Sequence, residues 1–368
     1  MPPKSGSHKK ETIVVAMSGG VDSSLAAALL KEEGYNVIGI TFRMWPKEEC
    51  GASEGRACCS LEAVTRARAV AGELKIPYYV VDFSAEFKKD VIEYFCAEYL
   101  RGMTPNPCVV CNEKLKFGRL LEKACSLGAS HVATGHYCNV AFDKKRGRYV
   151  LREGKNSAGE QSYFLISLSQ EQLAQALLPL GEFTKEKTRS LAKKMKLMTY
   201  DTASSQDVCF THGADYAEYI SKKTGIRMES GDIVDGSGVV VGRHKGIPYY
   251  TIGQRRRLGI AHKEPLYVTA IDRKNNRVVV GAKKDVLRKG LIAERVNWIA
   301  VENISEPVRA AVKIRYNHGK AKATVTKIDD STVRVEFDEP QEAPTPGQAA
   351  VFYDKEIVLG GGWIREAI

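Results

Sequence analysis

Seven consecutive residues, Ser18-Gly19-Gly20-Val21-Asp22-Ser23-Ser24, carry the clearest chemistry in the chain. They follow a short apolar run at 13–17 and open a helical pattern over 21–33. Glycines let a backbone turn tightly, and the amides at a helix start point toward an anion. Ser18, Ser23 and Ser24 add hydroxyls able to donate to phosphate oxygens. Asp22 cannot stabilise a phosphate directly, so it either orients the loop or helps to hold Mg²⁺. No lysine closes the loop, which separates it from the GxxxxGK[ST] pattern of kinases and GTPases. An ordinary glycine-serine turn with a capping aspartate is the plainer alternative. A strand before the loop and a helix behind it favour a phosphate site.

The second chemistry is thiol chemistry. Met103-Thr104-Pro105-Asn106-Pro107-Cys108-Val109-Val110-Cys111-Asn112 reads as a stiff turn feeding a helix predicted over 112–127, with Cys111 near its N-terminus. Prolines fix the backbone there, and a helix start stabilises a reactive thiolate. Ser204-Ser205-Gln206-Asp207-Val208-Cys209-Phe210 supplies a distant cysteine in a polar segment. Zinc, iron–sulfur and redox roles all fit a Cys-x-x-Cys pair of this kind, as do two packed thiols. Cys58 and Cys59 form a further adjacent pair, whereas Cys96, Cys125 and Cys138 sit in apolar or helical contexts and read as packing residues.

Elements that alternate between strand and helix must position these residues. Strands are predicted at 13–17, 37–42, 78–83 and 131–134, and helices at 21–33 and 61–74, with Gly34 ending the first. Phe87, Val91, Tyr94 and Phe95 mark one face of another helix. This alternation implies an α/β domain with a parallel sheet, whose ligands bind beyond the carboxyl ends of the strands. Beyond about residue 211 the pattern changes to a Gly-rich stretch over 231–281 and then to short strands within 308–366, which suggest a small antiparallel β-barrel. The expected division is a tail at 1–10, an ATP-binding domain with the cysteine site at 11–212, a central domain at 213–282 and a C-terminal barrel at 283–368.

Composition narrows the class. The chain has 368 residues, 43% hydrophobic and 27% charged, with a formal charge of +11. No apolar run nears the roughly 18 to 20 residues of a membrane span. The polar, lysine-bearing first ten residues do not read as a signal peptide, so a cytoplasmic protein is expected. Nine cysteines without export signals argue against a disulfide framework. From Arg243 to Arg295 there are fourteen Lys or Arg against four Asp or Glu. Such a stretch suits a polyanion such as nucleic acid, or is a solvated surface.

The phosphate loop resembles that of the ATP pyrophosphatase superfamily, whose members cleave ATP between the α and β phosphates. Combined with the cysteine segments, Ala133-Thr134-Gly135-His136-Tyr137, Gln161-Ser162-Tyr163-Phe164-Leu165 and Tyr250-Thr251-Ile252-Gly253-Gln254-Arg255-Arg256, it makes nearly the whole chain similar to the bacterial tRNA-specific 2-thiouridylase family. The resemblance implies an adenylated uridine oxygen and sulfur delivered in its place at the wobble position of the tRNA anticodon arm. It makes Cys111 the nucleophile and Cys209 the persulfide carrier, the two able to form a disulfide when oxidised. It assigns Ala16, Met17, Ser18, Gly19, Gly20, Val21, Asp22, Ser23, Met44 and Gly135 to ATP. Asn106, Pro107 and Cys108 fall to the target base, and His136, Gly159, Glu160, Gln161, Arg315, Tyr316 and Gln348 to tRNA. Arg315 and Tyr316 are expected on a barrel strand. ATP and Mg²⁺ are the implied cofactors, and a cysteine desulfurase or sulfur-relay protein the implied donor.

Two positions depart from the family pattern. Cys108 stands where some relatives have Asp, and with Cys111 and Cys209 it offers three thiolates to a four-iron, four-sulfur cluster. Arg257 stands where the family usually has Gly.

Overall fold

Ile13, Val14 and Val15 are wholly buried in strand β1 (Thr12–Ala16), the centre of a five-stranded parallel sheet. A strand flanked on both sides and covered on both faces must be apolar throughout, and that is why this run carries no alternation. The computed structural model describes residues 11–44, 61–202, 208–211 and 213–368. It separates into two compact units, one of Met1–Asp90 and Val109–His212, the other of Val91–Cys108 and Gly213–Ile368.

In the first unit, β2 (Asn36–Arg43), β3 (Tyr78–Asp82) and β4 (His131–Ala133) join β1, and β5 (Cys138–Asp143) pairs antiparallel with β6 (Arg148–Glu153). The short strand β7 (Ala176–Leu177) completes the parallel sheet in the order β3-β2-β1-β4-β7. Successive strands run outward from β1 on one side and resume with β4 on the other, so the order reverses between β1 and β4. The carboxyl ends of strands at such a reversal leave a crevice suited to a ligand.

Helix α1 (Val21–Glu32) packs against the sheet through Val21, Leu25, Leu30 and the run Ala26-Ala27-Ala28, all buried. Small alanines bring the helix close to the strands, and each fully buried leucine contributes about 1.5 to 3 kcal/mol. Gly34, at φ +91°, ends α1 in the left-handed region as expected. Helix α2 (Leu61–Glu73) covers the sheet through Ala63, Ala67, Val70 and Ala71.

The second unit holds two β-structures. Strands β8 (Gly231–Val234), β9 (Val240–His244), β10 (Tyr267–Asp272) and β11 (Arg277–Gly281) form a sheet in the order β10-β11-β8-β9 around Ile233, Val268, Val278 and Val280. The last six strands close an antiparallel barrel: β12 (Leu287–Trp298), β13 (Val308–Lys313), β14 (Ala321–Lys327), β15 (Val333–Glu342), β16 (Ala349–Asp354) and β17 (Ile357–Ala367). They run β12-β15-β14-β13-β16-β17, and β17 pairs back to β12. Closure removes the unpaired edges that a flat sheet would expose. The barrel starts at Leu287, about twenty residues before the short strands picked out in the sequence.

Residues 91–108 group with the second unit by their contacts. Phe95 and Tyr99 stack edge-on and pack against Tyr216 and Tyr219, and Tyr94 meets Trp363. Among the described residues no helix is long and apolar enough to cross a membrane.

Candidate phosphate and cysteine sites

The phosphate loop leaves the carboxyl end of β1 at the point where the strand order reverses. Its geometry depends on two glycines. Gly19 sits at φ +72°, and a side chain there would bring its Cβ within 2.2 Å of the Ala63 carbonyl oxygen in α2. Gly135, just past β4, would place a Cβ 2.8 Å from Asp22 Cβ and 2.9 Å from the Ser23 nitrogen. Only glycine lets the end of β4 lie against the first turn of α1.

Gly20 is the N-cap of α1, in extended conformation and with no side-chain cap. The first amides of that twelve-residue helix therefore face the loop with their positive partial charge. Ser23 Oγ accepts from the Ser18 nitrogen at 3.1 Å and lies 3.2 Å from Ser18 Oγ and from the Gly20 oxygen. The hydroxyl of Ser24 is fully buried and donates to the Gly20 oxygen at 2.9 Å, so it shapes the turn and does not face a phosphate, contrary to expectation. Ser18 remains the accessible hydroxyl. Arg66, from α2, donates to the Gly19 oxygen at 3.1 Å.

Asp22 is the most heavily engaged side chain of the loop. Lys185 Nζ, at the start of helix α3 (Lys185–Lys194), lies 2.6 Å from Oδ1 and 2.7 Å from Oδ2. The Tyr137 hydroxyl donates to Oδ1 at 2.6 Å. Burial, then the Asp22 charge and this hydrogen bond, hold the Tyr137 phenol protonated, far above its ordinary range. Both carboxylate oxygens thus have cationic or hydroxyl partners, which fits the loop-orienting role of Asp22. With Lys185 in place, Asp22 does not fit the role of a Mg²⁺ ligand.

Met17 is buried, with its carbonyl oxygen accepting from Thr41 Oγ1 at 2.5 Å, and Met44 is buried just past β2. His136 is 9% exposed. Its Nδ1 is 2.7 Å from Thr134 Oγ1, and its ring lies 6.4 Å from that of Phe117. Burial, then the charge of Lys116, hold its pKa well below the usual histidine value, so the ring is neutral. Glu160 is buried, its Oε1 accepting from the Ser162 nitrogen at 2.5 Å. Gln161 Oε1 accepts from the Tyr137 nitrogen at 3.0 Å, while Gly159 is half-buried. The side chain of Gln161 therefore braces the segment that carries Tyr137, while that of Glu160 holds its own turn at Ser162.

The thiols divide by exposure. Cys96 and Cys138 are buried; burial pushes the Cys96 thiol up to about 11 and, with the nearby charge of Glu160, holds Cys138 well above the ordinary thiol range, which leaves both inert. Cys125, expected to pack, is exposed, because its helix (Leu120–Ser126) buries Leu120, Leu121 and Ala124 and turns the next position outward. Cys108 is exposed, and Cys111 and Cys209 are half-buried. Phe210, buried and edge-on to Phe87 at 5.8 Å, anchors the segment of Cys209. Residues 204–207 and the Cys58-Cys59 pair lie outside the described residues.

The helix expected to begin at Asn112 begins instead at Pro107, a residue preset for the first helical position. Cys108 consequently occupies the first turn, and Cys111 is the last residue of the α-helical segment Pro107–Cys111 before the helix continues as the π-helical Asn112–Arg119. The turn before it is held by the barrel loop: the Thr104 nitrogen donates to the Pro346 oxygen at 2.8 Å. Gln348 Nε2 donates to the Thr104 oxygen at 2.8 Å, and Gly347, at φ +90°, would place a Cβ 2.9 Å from the Thr104 nitrogen. Asn106 is buried in this braced turn.

Arg315 and Tyr316 lie past the end of β13 in a turn, not on a barrel strand as expected. One guanidinium nitrogen of Arg315 donates to the Glu342 and Ala343 oxygens at 2.7 and 2.8 Å, and Lys313 Nζ sits 5.3 Å from the Tyr316 ring centre. The chain reverses at 314–316, and Arg315 ties that reversal to the end of β15. Arg257 takes φ +62°, which is the reason glycine suits that position.

A parallel sheet with a glycine-serine loop at its strand-order reversal, followed by two β-structures, is the architecture of an ATP-pyrophosphatase-type domain joined to accessory β-domains. Residues 11–213 match the tRNA methyl transferase HUP domain, 218–282 the tRNA methyl transferase PRC-barrel domain and 288–364 the aminomethyltransferase beta-barrel domain. The tRNA-specific 2-thiouridylase MnmA of Acetivibrio thermocellus is 47% identical over 97% of this chain and 99% of its own length. The proteins of the same name from Moorella thermoacetica and Geotalea uraniireducens are each 48% identical, over 96% and 98% of this chain and 99% and 96% of theirs. The chain belongs to the tRNA-specific 2-thiouridylase family. The matched domain names speak of methyl transfer, but methyl transfer has no need of a phosphate loop, whereas thiolation through an activated oxygen does.

Proposed function

We propose that this chain is an ATP-dependent tRNA-uridine 2-sulfurtransferase acting on the wobble uridine of the anticodon arm. The observation that carries this reading is the loop at the reversal between β1 and β4, where Gly19, Gly135 and the uncapped start of α1 make room for a polyphosphate. A uracil oxygen is a poor leaving group. Its attack on the α-phosphorus of ATP releases pyrophosphate and turns that oxygen into part of AMP, a good leaving group.

Sulfur then arrives as a persulfide on Cys209. Its terminal sulfur attacks C2 of the uracil and AMP departs with the former O2. Cys111 thiolate attacks the Cys209 sulfur, so the sulfur–sulfur bond breaks, 2-thiouridine is released and a Cys111–Cys209 disulfide forms. A thiol reductant restores the pair, and a cysteine desulfurase or sulfur-relay protein reloads it. Asn106, Pro107 and Cys108 would meet the base, which leaves the anticodon stack to react. In this reading residues 11–212 activate the base, and 213–282 with 283–368 hold tRNA through salt-sensitive contacts in the cytoplasm. Magnesium would travel with the ATP phosphates, whose charge it would screen.

Cys108 supports a second sulfur route, a four-iron, four-sulfur cluster on Cys108, Cys111 and Cys209. Among the described residues no three Cys, His, Asp or Glu side chains come together as metal ligands. No step is routed through such a cluster.

Mass spectrometry of tRNA nucleosides after incubation with ATP, Mg²⁺ and a sulfur source tests the activity. The expected result is 2-thiouridine with AMP and pyrophosphate released only when tRNA is present. Unmodified tRNA, or nucleotide turnover indifferent to RNA, would refute it. Iron analysis of anaerobically prepared protein separates the two sulfur routes, since the persulfide route needs neither iron nor Cys108.

A further inference from the structure

Lys185 stands 163 residues from Asp22 in the chain, yet it brackets both carboxylate oxygens, at 2.6 and 2.7 Å. Its side chain and that of Asp22 are about one fifth and one third exposed, so the pair borders solvent at the mouth of the loop. Lys185 Nζ also lies 5.6 Å from the ring centre of Tyr137, whose hydroxyl meets the same carboxylate. Thr184 caps α3 by accepting from the Lys187 nitrogen, which fixes the first residue of that helix, Lys185 itself. Three elements, the first turn of α1, the segment after β4 and the start of α3, thereby converge on one carboxylate.

A carboxylate in a loop that receives a triphosphate is a liability unless a cation neutralises it. We infer that Lys185 is the resident counter-cation of Asp22, and that Lys185 with Tyr137 is the clamp that holds the phosphate loop in its ATP-receiving form. The inference rests on the reading of this loop as an ATP site. Lys185 is a positioning residue: it acts on ATP through Asp22, in the place where a metal ion would otherwise be needed.

The test measures ATP binding to the full chain by calorimetry in EDTA, for the wild type and for Lys185→Met, Lys185→Arg, Asp22→Asn and the double variant Asp22→Asn/Lys185→Met, with melting temperatures to confirm folding. Lys185→Met leaves an uncompensated negative charge beside the triphosphate and should weaken binding by about tenfold or more. Lys185→Arg should stay within about threefold of the wild type, since the charge is kept. The double variant should bind more tightly than Lys185→Met alone, because removing the carboxylate charge removes the need for its partner. Wild-type affinity in Lys185→Met, or a double variant no better than Lys185→Met, would overturn the inference; the second result would make Lys185 a direct phosphate ligand. Absence of ATP binding by the wild type, with or without Mg²⁺, would instead overturn the ATP reading itself.

Discussion

Replacing Gly135 by alanine perturbs the loop without touching any group that reacts. The added methyl carbon would lie 2.8 Å from Asp22 Cβ and from the Asp22 carbonyl carbon. Carbon contacts are comfortable from about 3.5 Å outward, so the end of β4 and the first turn of α1 must part by about 0.7 Å. The atoms met are main chain and the Cβ fixed to it, so no flexible side-chain end can yield. Overpacking of this kind costs about 1 to 3 kcal/mol. A misplacement approaching 1 Å at a site of reaction costs up to about a hundredfold in rate. Urea unfolding should therefore show a stability loss in that range, and tRNA-dependent AMP release should fall about ten- to a hundredfold while tRNA affinity is kept. Gly72 supplies the control: it is an exposed residue of α2 with nothing near its would-be side chain, so Gly72→Ala should stabilise by up to about 1 kcal/mol and leave turnover alone. Wild-type turnover in folded Gly135→Ala would show that the approach of β4 to α1 is not what shapes the loop.

Gln348→Ala frees the Thr104 and Pro105 carbonyls, and thiolation should slow about tenfold with tRNA affinity changed less than about twofold. The reverse pattern in a filter-binding assay would make Gln348 an RNA contact. Arg315→Ala should cost about 1.5 to 3 kcal/mol of stability through the lost bonds to the Glu342 and Ala343 oxygens. A salt slope of tRNA binding lowered by about 0.7 to 0.9, with stability intact, would place Arg315 on a phosphate instead. His136 is buried neutral, with a folded-state pKa below its unfolded value, so below about pH 6.5 the unfolded chain binds a proton that the folded chain refuses. Its contribution is intact above that pH and is lost on acidification at up to about 1.4 kcal/mol per pH unit; His136→Gln should flatten this part of a urea-midpoint profile, and an unaltered profile would refute the assignment. Arg257→Gly should relieve a left-handed backbone and stabilise by about 1 kcal/mol, and a neutral or destabilising effect in thermal unfolding would show that the Arg side chain holds the turn.

The parallel sheet and its loop were legible because buried strands read as unbroken apolar runs and because glycines are forced where backbones touch. Gly19 and Gly135 are visible one at a time in the sequence, but not that each fills a space owned by a distant main chain. Lys185 and Arg66 gave no local signal. Each belongs to an ordinary amphipathic helix, and only the fold brings it to the loop. Tyr137 stood in a recognised stretch, but only the fold shows that its hydroxyl reaches Asp22. The early start of the helix at Pro107 was written in the proline itself, which was read as part of the turn. The aromatic face of residues 91–108 packs with Tyr216, Tyr219 and Trp363, a partnership between distant stretches that chain order does not announce.

The same comparison separates residues that react from residues that hold. Resemblance alone puts His136, Glu160, Gln161, Arg315 and Gln348 in contact with tRNA, yet each has a side-chain atom engaged with the protein: Thr134, Ser162, Tyr137, the end of β15 and Thr104. A side chain engaged in this way can still lie beside RNA, but its loss would first disturb the segment it braces. By contrast, among the described residues Arg255, Arg256 and Arg257 are exposed and pair with no carboxylate. Their turn is fixed from within: Gln254 Oε1 accepts from the Thr251 nitrogen at 3.0 Å, and Gln254 Nε2 donates to the Arg256 oxygen at 3.0 Å. Solvated cations on a rigid turn neutralise phosphates with little loss of freedom on binding. The salt dependence of tRNA affinity should therefore reside chiefly in that turn, and the residues named by resemblance should show themselves in stability and rate.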